Sequence, residues 1–382
     1  MSLAKKIRTR LTNPQVLRLA TQLARLIPAV LSPIRHPVEN LIVYLQWKMG
    51  AWSEENLFHA RSTLERHPTL ISAELYLRFM RDAGGINEHT LRLVEQVVDH
   101  KKAQTSAVFS TLMSSLYLEI GLHEQASHYC LDALKQNANS LDSSLSLSLF
   151  AHNHHLPVSQ RVTDSIEKRR TTLAKLRYTD QNFLNRYQGA SIAIVGNSPH
   201  EINRQKGSEI DQHDVVIRFN NFQVDRAYAR DYGKRTSIWI RSPSLEEVPD
   251  RSLEALELII FSGCSLQFKN NTFWSSEMLN NESITTAVFH NKLVHKITRL
   301  LEAPPTAGIL ALYLLLSNAN LFSKLSIYGF DFNQGDQYHY FANNNASQRH
   351  NWYNERLLYR SLLKENDQGR VQTTFPIDKI LL

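Results

Sequence analysis

Four short stretches carry side chains able to do chemistry. The first, IAIVGNSPHEINRQKGSEIDQHDVVIRFN from Ile192 to Asn220, runs from an apolar segment through Gly196, Asn197 and Ser198 to Asp211, His213, Asp214, Arg218 and Asn220. A strand ending in Gly-Asn-Ser offers a main-chain N–H and two short polar side chains just beyond a sheet edge. That suits a nucleotide, and it equally suits an ordinary turn. Polar and charged groups around a buried strand are costly unless they pair with one another or with a ligand. In the second stretch, Pro305-Thr306-Ala307-Gly308 precedes an apolar run and puts a hydroxyl and free N–H groups at a predicted helix N-terminus, a natural anion site. The third follows the strand-like LSIYGFD: Gly329, then Tyr338, His339 and Tyr340. The fourth pairs His350 with Glu355. Imidazoles titrate near neutrality and can take a proton from an attacking hydroxyl or give a hydrogen bond to a leaving group. Isolated histidines are usually structural, but two in a polar loop after a strand point to a site.

Some classes fall away at once. Gly196 lacks the second and third glycines of the dinucleotide fingerprint, which argues against an NAD-linked enzyme, and no glycine-rich loop ends in Lys-Ser/Thr. Two cysteines, Cys130 and Cys264, stand far apart without histidines at metal spacing, so neither a disulfide framework nor a zinc site is expected. The composition, 42% hydrophobic and 21% charged, is that of a globular protein with a real core. The net charge of +7 is accounted for by Lys5, Lys6, Arg8, Arg10, Arg18, Arg25 and Arg35, all ahead of the first acid, Glu39. The remainder is neutral, which argues against a nucleic-acid partner.

Residues 1–37 form a basic segment with Leu17, Leu19, Ala20, Leu23, Leu26 and Ile27 at helical spacing. Such a helix can lie on an anionic membrane surface or pack its apolar side on the next helix. Its apolar run is too short to span a bilayer. Residues 38–180 read as all-α. In MSSLYLEIGLHEQASHYCLDALKQNAN, Met113, Tyr117, Gly121, Ala126, Cys130 and Ala133 fall where a tetratricopeptide helix pair places its large, turn and small residues, and Ala60, Leu64 and Pro68 echo its second helix. Such hairpins bind protein partners or simply act as spacers. LPVSQRVTDSIEKRRTTLAKLRYTD reads as a final helix. Residues 186–382 change period: SIAIVG, DVVIRFN, TSIWIR, LELIIFSG and LSIYGFD read as strands, with helices in LVHKITRLLE and AGILALYLLLSN. Alternating strands and helices predict a mostly parallel, Rossmann-like α/β sheet, whose ligands bind at the strands' carboxyl ends.

In order and spacing, the motifs resemble the sialyl motifs of the animal-type sialyltransferase family. The large motif corresponds to Ile192–Thr236, with VGNS, G-x-x-ID-x-HD-x-V-x-R-x-N and a closing D-x-G-K-x-T run. The small one corresponds to Pro305–Phe330, with P-T-A-G in place of P-S-T-G; the third to His339-Tyr340-Phe341; the very small one to His350–Glu355. The likeness covers Ser191 to Tyr359 and none of the helical half. It implies a metal-independent, inverting transfer of a nonulosonic acid, sialic acid first and Kdo as the alternative, from its CMP conjugate to a glycan or glycolipid hydroxyl. It further implies that Gly196, Asn197, Ser198, Asn220, Thr306, Ala307, Gly308, Gly329 and Tyr340 hold the donor, those from Thr306 to Gly308 through main-chain N–H groups. By the same likeness His350 is the base and His339 donates to the departing phosphate. Asp211, His213, Asp214, Arg218 and Glu355 brace the loops, the first four by pairing with one another. No metal or other cofactor is expected. A non-catalytic scaffold with a relic nucleotide domain is the competing reading. The family's disulfide and membrane anchor have no counterpart here, since Ile192 and Phe322 stand near the cysteine positions. That favours a cytoplasmic, bacterial-type enzyme, with peripheral contact through the basic start.

Overall fold

The structure, a computed structural model, describes residues 32–98, 106–179, 181–243, 255–269, 284–332, 339–341, 347–366 and 369–375. Most of the basic segment, and Tyr338, lie outside them. Two compact units emerge: the described residues of 1–170, 267–272 and 298–304, and those of 171–266, 273–297 and 305–382.

The first unit is all-helical. It contains α1 (Ser32–Lys48), α2 (Glu54–Arg66), α3 (Leu70–Ala83), α4 (Glu88–Val97), α5 (Ala107–Glu119), α6 (His123–Gln136), α7 (Leu145–Asn153) and α8 (Gln160–Asp164). Ser53, Thr69, Asn87, Ser106, Ser144 and Ser159 each cap a helix by accepting an N–H of its first turn, the commonest start signal a sequence offers. The pair α5–α6 shows why the small residues matter. Gly121 turns the chain at φ +84, and Ala126, Cys130 and Ala133, all fully buried, let α6 approach so closely that Ser114 Oγ donates to Ala126 O at 2.7 Å. Helix α1 runs through Pro37, so the boundary expected there is no break. The carbonyl left without its N–H belongs to the first turn, where intrahelical bonding only begins.

Helix α9 (Ile166–Lys175) leads into the second unit, which adds α10 (Gln181–Arg186), α11 (Gly207–Asp211), α12 (Arg226–Tyr232), α13 (Asn291–Leu301), whose last turn groups with the helical unit, α14 (Ala307–Leu316) and α15 (Trp352–Glu365). The expected final helix of the first half is broken because Ser165 Oγ turns back to Arg161 O at 2.7 Å, competing with the helix ladder. Eight parallel strands form one sheet in the order β1 (Leu176–Tyr178), β6 (Thr285–Val288), β5 (Leu258–Phe261), β4 (Ile238–Arg241), β3 (Val215–Phe219), β2 (Ser191–Val195), β7 (Lys324–Tyr328), β8 (Val371–Thr373). The five strands legible in the sequence form its centre, nearly every residue buried, as helices on both faces require. Strands β1, β6 and β8 escape a pattern reading: they are three or four residues long and part polar. Strand β1 also lies inside the stretch assigned to the helical half.

From β2 the chain winds outward through β3, β4, β5 and β6, then returns to β7 on the other side of β2. Strands β2 and β7 therefore flank the reversal of strand order, and their carboxyl ends open a crevice. There the backbones touch: a Cβ on Gly196 would stand 2.3 Å from Gly329 O, and one on Gly329, at φ +65, 2.7 Å from Gly196 O. Gly196 N donates to Tyr328 O at 2.8 Å and Ser198 N to Gly329 O at 3.0 Å.

Gly196→Ala is expected to lose more than about 2 kcal/mol of stability in urea denaturation, since backbone rather than a movable side chain must yield. Gly121→Ala, with open space around its Cβ, is expected to lose only about 1 kcal/mol for the left-handed conformation. Equal losses would show that the contact does not constrain the sheet.

Candidate active site

Three loops and two helix starts converge on the crevice. Its floor is the Gly-Asn-Ser turn after β2, and Asn197 and Ser198 line it. Asn197 Nδ2 donates to Phe219 O at 2.9 Å, and its main-chain oxygen accepts from Tyr340 N at 2.9 Å. Its Oδ1, by contrast, is buried and accepts no hydrogen bond among the described residues. Such an acceptor is costly unless a ligand or water fills it. Asn220 follows β3 at φ +48, a left-handed position that asparagine tolerates. Its Oδ1 accepts from Ser242 N at 3.0 Å and its carbonyl from Trp239 Nε1 at 2.9 Å, so that the residue lines the crevice in one orientation.

Opposite stands the start of α14. Thr306 caps it, Oγ1 accepting from Ile309 N at 3.1 Å. The expected donor contact through the Thr306 N–H is not available: that N–H donates to Glu355 Oε1 at 2.8 Å, and Thr306 Oγ1 bonds Glu355 Oε2 at 2.8 Å. Glu355, in the first turn of α15, is fully buried and reaches across because α14 and α15 pack together. Ala307 and Gly308, the first two residues of the helix, line the crevice, and their N–H groups have no intrahelical acceptor, an arrangement that attracts an anion. Gly308 also admits Phe330, whose ring edge would be 2.8 Å from a Cβ there. Replacement of the family's usual hydroxyl by Ala307 leaves these main-chain groups in place.

The two histidines stand differently. His339 lines the crevice, stacked on Phe341 at 5.1 Å, and burial pushes its imidazole down to about 4. At neutral pH it is an uncharged N–H donor rather than an imidazolium. His350 lies ahead of α15 and packs its ring edge-on against Trp352 at 5.6 Å; Trp352 lines the crevice, whereas His350 is not among its lining residues and reaches it only through Trp352. Because His350 precedes the helix and Glu355 lies within it, no shared helix face relates them, and Glu355 serves Thr306 instead.

Tyr340 departs from its expected place against the donor. Its ring is buried, stacked on Tyr232 at 3.9 Å, and its hydroxyl donates to Gln223 O at 2.6 Å while accepting from Gln223 N at 2.8 Å. With its N–H on Asn197 O, it is a clamp that seats the His339 segment on the Gly-Asn-Ser turn. The four polar residues around β3 do brace loops, but no hydrogen bond or ion pair joins one to another. Each serves main-chain or hydroxyl groups instead, because the turns around them leave N–H and C=O groups that no sheet partner reaches. Asp211 accepts from Lys234 N and Arg235 N, both at 2.9 Å. His213 bonds Glu209 O at 2.9 Å and Ser326 Oγ at 2.9 Å. Asp214 takes the Ser191 N–H and hydroxyl, which hold its carboxyl below the ordinary range. Arg218, fully buried, donates to Arg235 O at 2.9 Å and Tyr232 O at 2.7 Å; burial lowers its guanidinium to about 10.

Phe219, Phe330, Asp331, Phe332 and Trp352 also line the crevice. Their signal in the sequence is position alone: Phe219 ends β3, Phe330 to Phe332 come just after β7, and Trp352 opens α15, each near a residue already singled out. Glu201 carried none, yet it is fully buried and accepts from Gly329 N at 3.0 Å and from Thr374 Oγ1.

A family model described as glycosyltransferase family 29 (sialyltransferase) matches residues 133–367. A curated mouse relative named CMP-N-acetylneuraminate-beta-1,4-galactoside alpha-2,3-sialyltransferase is 30% identical over 143 residues, 37% of this chain and 35% of its own length. The human protein of that name is 29% identical over the same lengths. The chain thus spans about a third of the length of the curated relatives it matches. A solved mammalian sialyltransferase in complex with Gal-beta-1-3GalNAc-ortho-nitrophenol is 17% identical with a TM-score of 0.38, over 54% of this chain and 78% of that one.

Burial raises the Glu355 carboxyl from 4.5 to about 8, against the lowering effect of both Thr306 bonds. An acid with a raised folded pKa holds its proton more tightly when folded. Its contribution to stability is therefore fully present below pH 4.5 and lost as pH rises through about 8. In Glu355→Gln the fall of unfolding free energy across that window should flatten, by up to about 1.4 kcal/mol per pH unit. Urea denaturation at stepped pH checks this; an unchanged slope would contradict it.

Proposed function

We propose, on the premise that this chain belongs to glycosyltransferase family 29, the sialyltransferases, that it transfers sialic acid with inversion from its CMP conjugate to a glycan hydroxyl. The observation that carries the reading is the crevice at the reversal of strand order. It combines a buried acceptor without a partner, Asn197 Oδ1, with two main-chain N–H groups at the start of α14. An amide acceptor suits the amino group of a cytosine, and the helix start suits its phosphate.

The mechanism follows from the leaving group. As the bond from the anomeric carbon to the phosphate oxygen breaks and the sugar passes to the acceptor oxygen, CMP departs as a phosphate anion, whose growing charge the Ala307 and Gly308 N–H groups and the neutral His339 imidazole are suited to receive. Fixed donors in a water-poor site stabilise such charge without reorganising, and the proposed reaction uses no divalent ion. His350, whose ring packs on the crevice residue Trp352, accepts the proton of the incoming hydroxyl. Glu355 and Tyr340 position these groups without touching substrate. Sialic acid rather than Kdo is favoured because the curated relatives are named for CMP-N-acetylneuraminate. Cytoplasmic action, with peripheral membrane contact through the basic start, belongs to the proposal too; its support is that Cys130 and Cys264 are buried thiols and that Ile192 and Phe322 are packed core residues. No helix among the described residues is long and apolar enough to cross a membrane.

CMP release is expected from CMP-sialic acid and not from CMP-Kdo when each is offered separately with a galactoside, and an excess of EDTA should leave the rate unchanged. Preference for CMP-Kdo would shift the donor; loss of activity in EDTA would bring a metal into the mechanism. His350→Ala should lower transfer by about a hundred- to ten-thousand-fold while calorimetry finds CMP bound as tightly as before. Retained turnover would remove His350 from the base role, and no affinity for CMP in the unaltered protein would remove the whole reading.

A further inference from the structure

The helical unit holds a second cavity, of about 410 Å³, between α1, α3, α5, the turn after α6 and the short segment at Phe268 and Lys269 that groups with this unit. Nothing in the proposed reaction uses it. Two residues of its wall, Thr111 and Ser140, carry buried hydroxyls that have no hydrogen-bond partner among the described residues. Thr111 is only 4% exposed, so bulk solvent does not serve it. Polar atoms in this condition are held for a ligand or an ordered water.

The charges around it are already matched. Arg81 donates to Glu119 Oε2 at 2.9 Å and to Ser115 Oγ at 2.8 Å. Lys269 meets Asp82 Oδ1 at 2.6 Å, and Trp47 Nε1 donates to Asp82 Oδ2 at 2.8 Å, which fixes the indole in the wall. Pairing therefore removes the field that a polyanion would need and leaves a rigid aromatic ring beside hydroxyl and amide groups, the latter from Asn137 and Asn139. One cation stands apart: Arg78 is 38% exposed, with Glu74 at 4.0 Å, the outer limit of a pair.

Hydroxyl partners, an aromatic wall and a single cation match a sugar ring, with its apolar face and its rim of hydroxyls, carrying one carboxylate. A peptide is a poorer fit, because the walls are helices whose main-chain groups are already bonded. We propose that this cavity binds an acidic saccharide, its hydroxyls at Thr111, its ring against Trp47 and its carboxylate at Arg78. The choice of an acidic sugar rests in part on the proposed function, for which such a site would hold a sialylated chain away from the crevice; the cavity's chemistry does not.

Sialyllactose titrated into the full chain with saturating CMP tests it by calorimetry, with lactose and an acidic peptide as parallel arms. Sialyllactose is expected to bind at least about tenfold tighter than lactose, and Thr111→Val and Arg78→Ala each to weaken it at least about fivefold, the scale of one lost polar contact. CMP affinity and melting temperature should not move in either variant, which separates a lost site from a lost fold. No binding, binding indifferent to both substitutions, or an acidic peptide bound as tightly as sialyllactose would overturn the assignment. Failure of CMP to bind would count against the proposed function, while sialyllactose binding sensitive to Thr111→Val would still uphold this site.

Discussion

The α/β unit depends on a contact between two backbones. Where β2 and β7 end, Gly196 and Gly329 lie so close that neither position has room for a methyl group. That approach brings the Gly-Asn-Ser turn alongside the loop after β7, and it places the crevice where the winding of the sheet reverses. Glu201, buried beneath, takes the Gly329 N–H and so fixes the strand end that the glycine would otherwise leave loose. A side chain at either glycine would wedge apart the strands that define the site.

Around this contact, charged and aromatic side chains act mainly on main-chain groups. Asp211 gathers two N–H groups of the 233–235 turn, and Asp231 gathers those of Asn203 and Gln205, both in left-handed conformations. Arg235 returns the link by donating to His213 O and Asp214 O, each at 2.6 Å. Loops at a sheet end have many N–H and C=O groups and no strand to pair with. Side chains that satisfy them hold the loops still without a ligand. The loops are thus held by the protein's own groups, as the proposed electrostatic stabilisation of a departing phosphate requires.

The link between Thr306 and Glu355 joins two motifs far apart in sequence. One carboxyl occupies both the N–H and the hydroxyl of the helix cap, while the next two residues, Ala307 and Gly308, line the crevice. Burial makes that carboxyl a weak acid, so the joint between α14 and α15 is sensitive to pH although neither histidine takes part in it.

By itself the sequence determined the class of fold, the five central strands, the helical hairpins of the first half and the stretches that meet at the crevice. These depend on local signals: hydrophobic period, cap residues, and glycines where the backbone must turn or touch. It could not determine which polar residue meets which. Asp211, His213, Asp214 and Arg218 sit within eight positions of one another, yet each bonds elsewhere. Tyr340, adjacent to a crevice histidine, is drawn into the core by its stack on Tyr232 and by the Gln223 main chain that binds its hydroxyl. Three short outer strands, β1, β6 and β8, and the partner of Glu355 were likewise decided only in three dimensions. Their stabilisation comes from contacts between segments up to a hundred residues apart or more, and no pattern within a short window records such contacts.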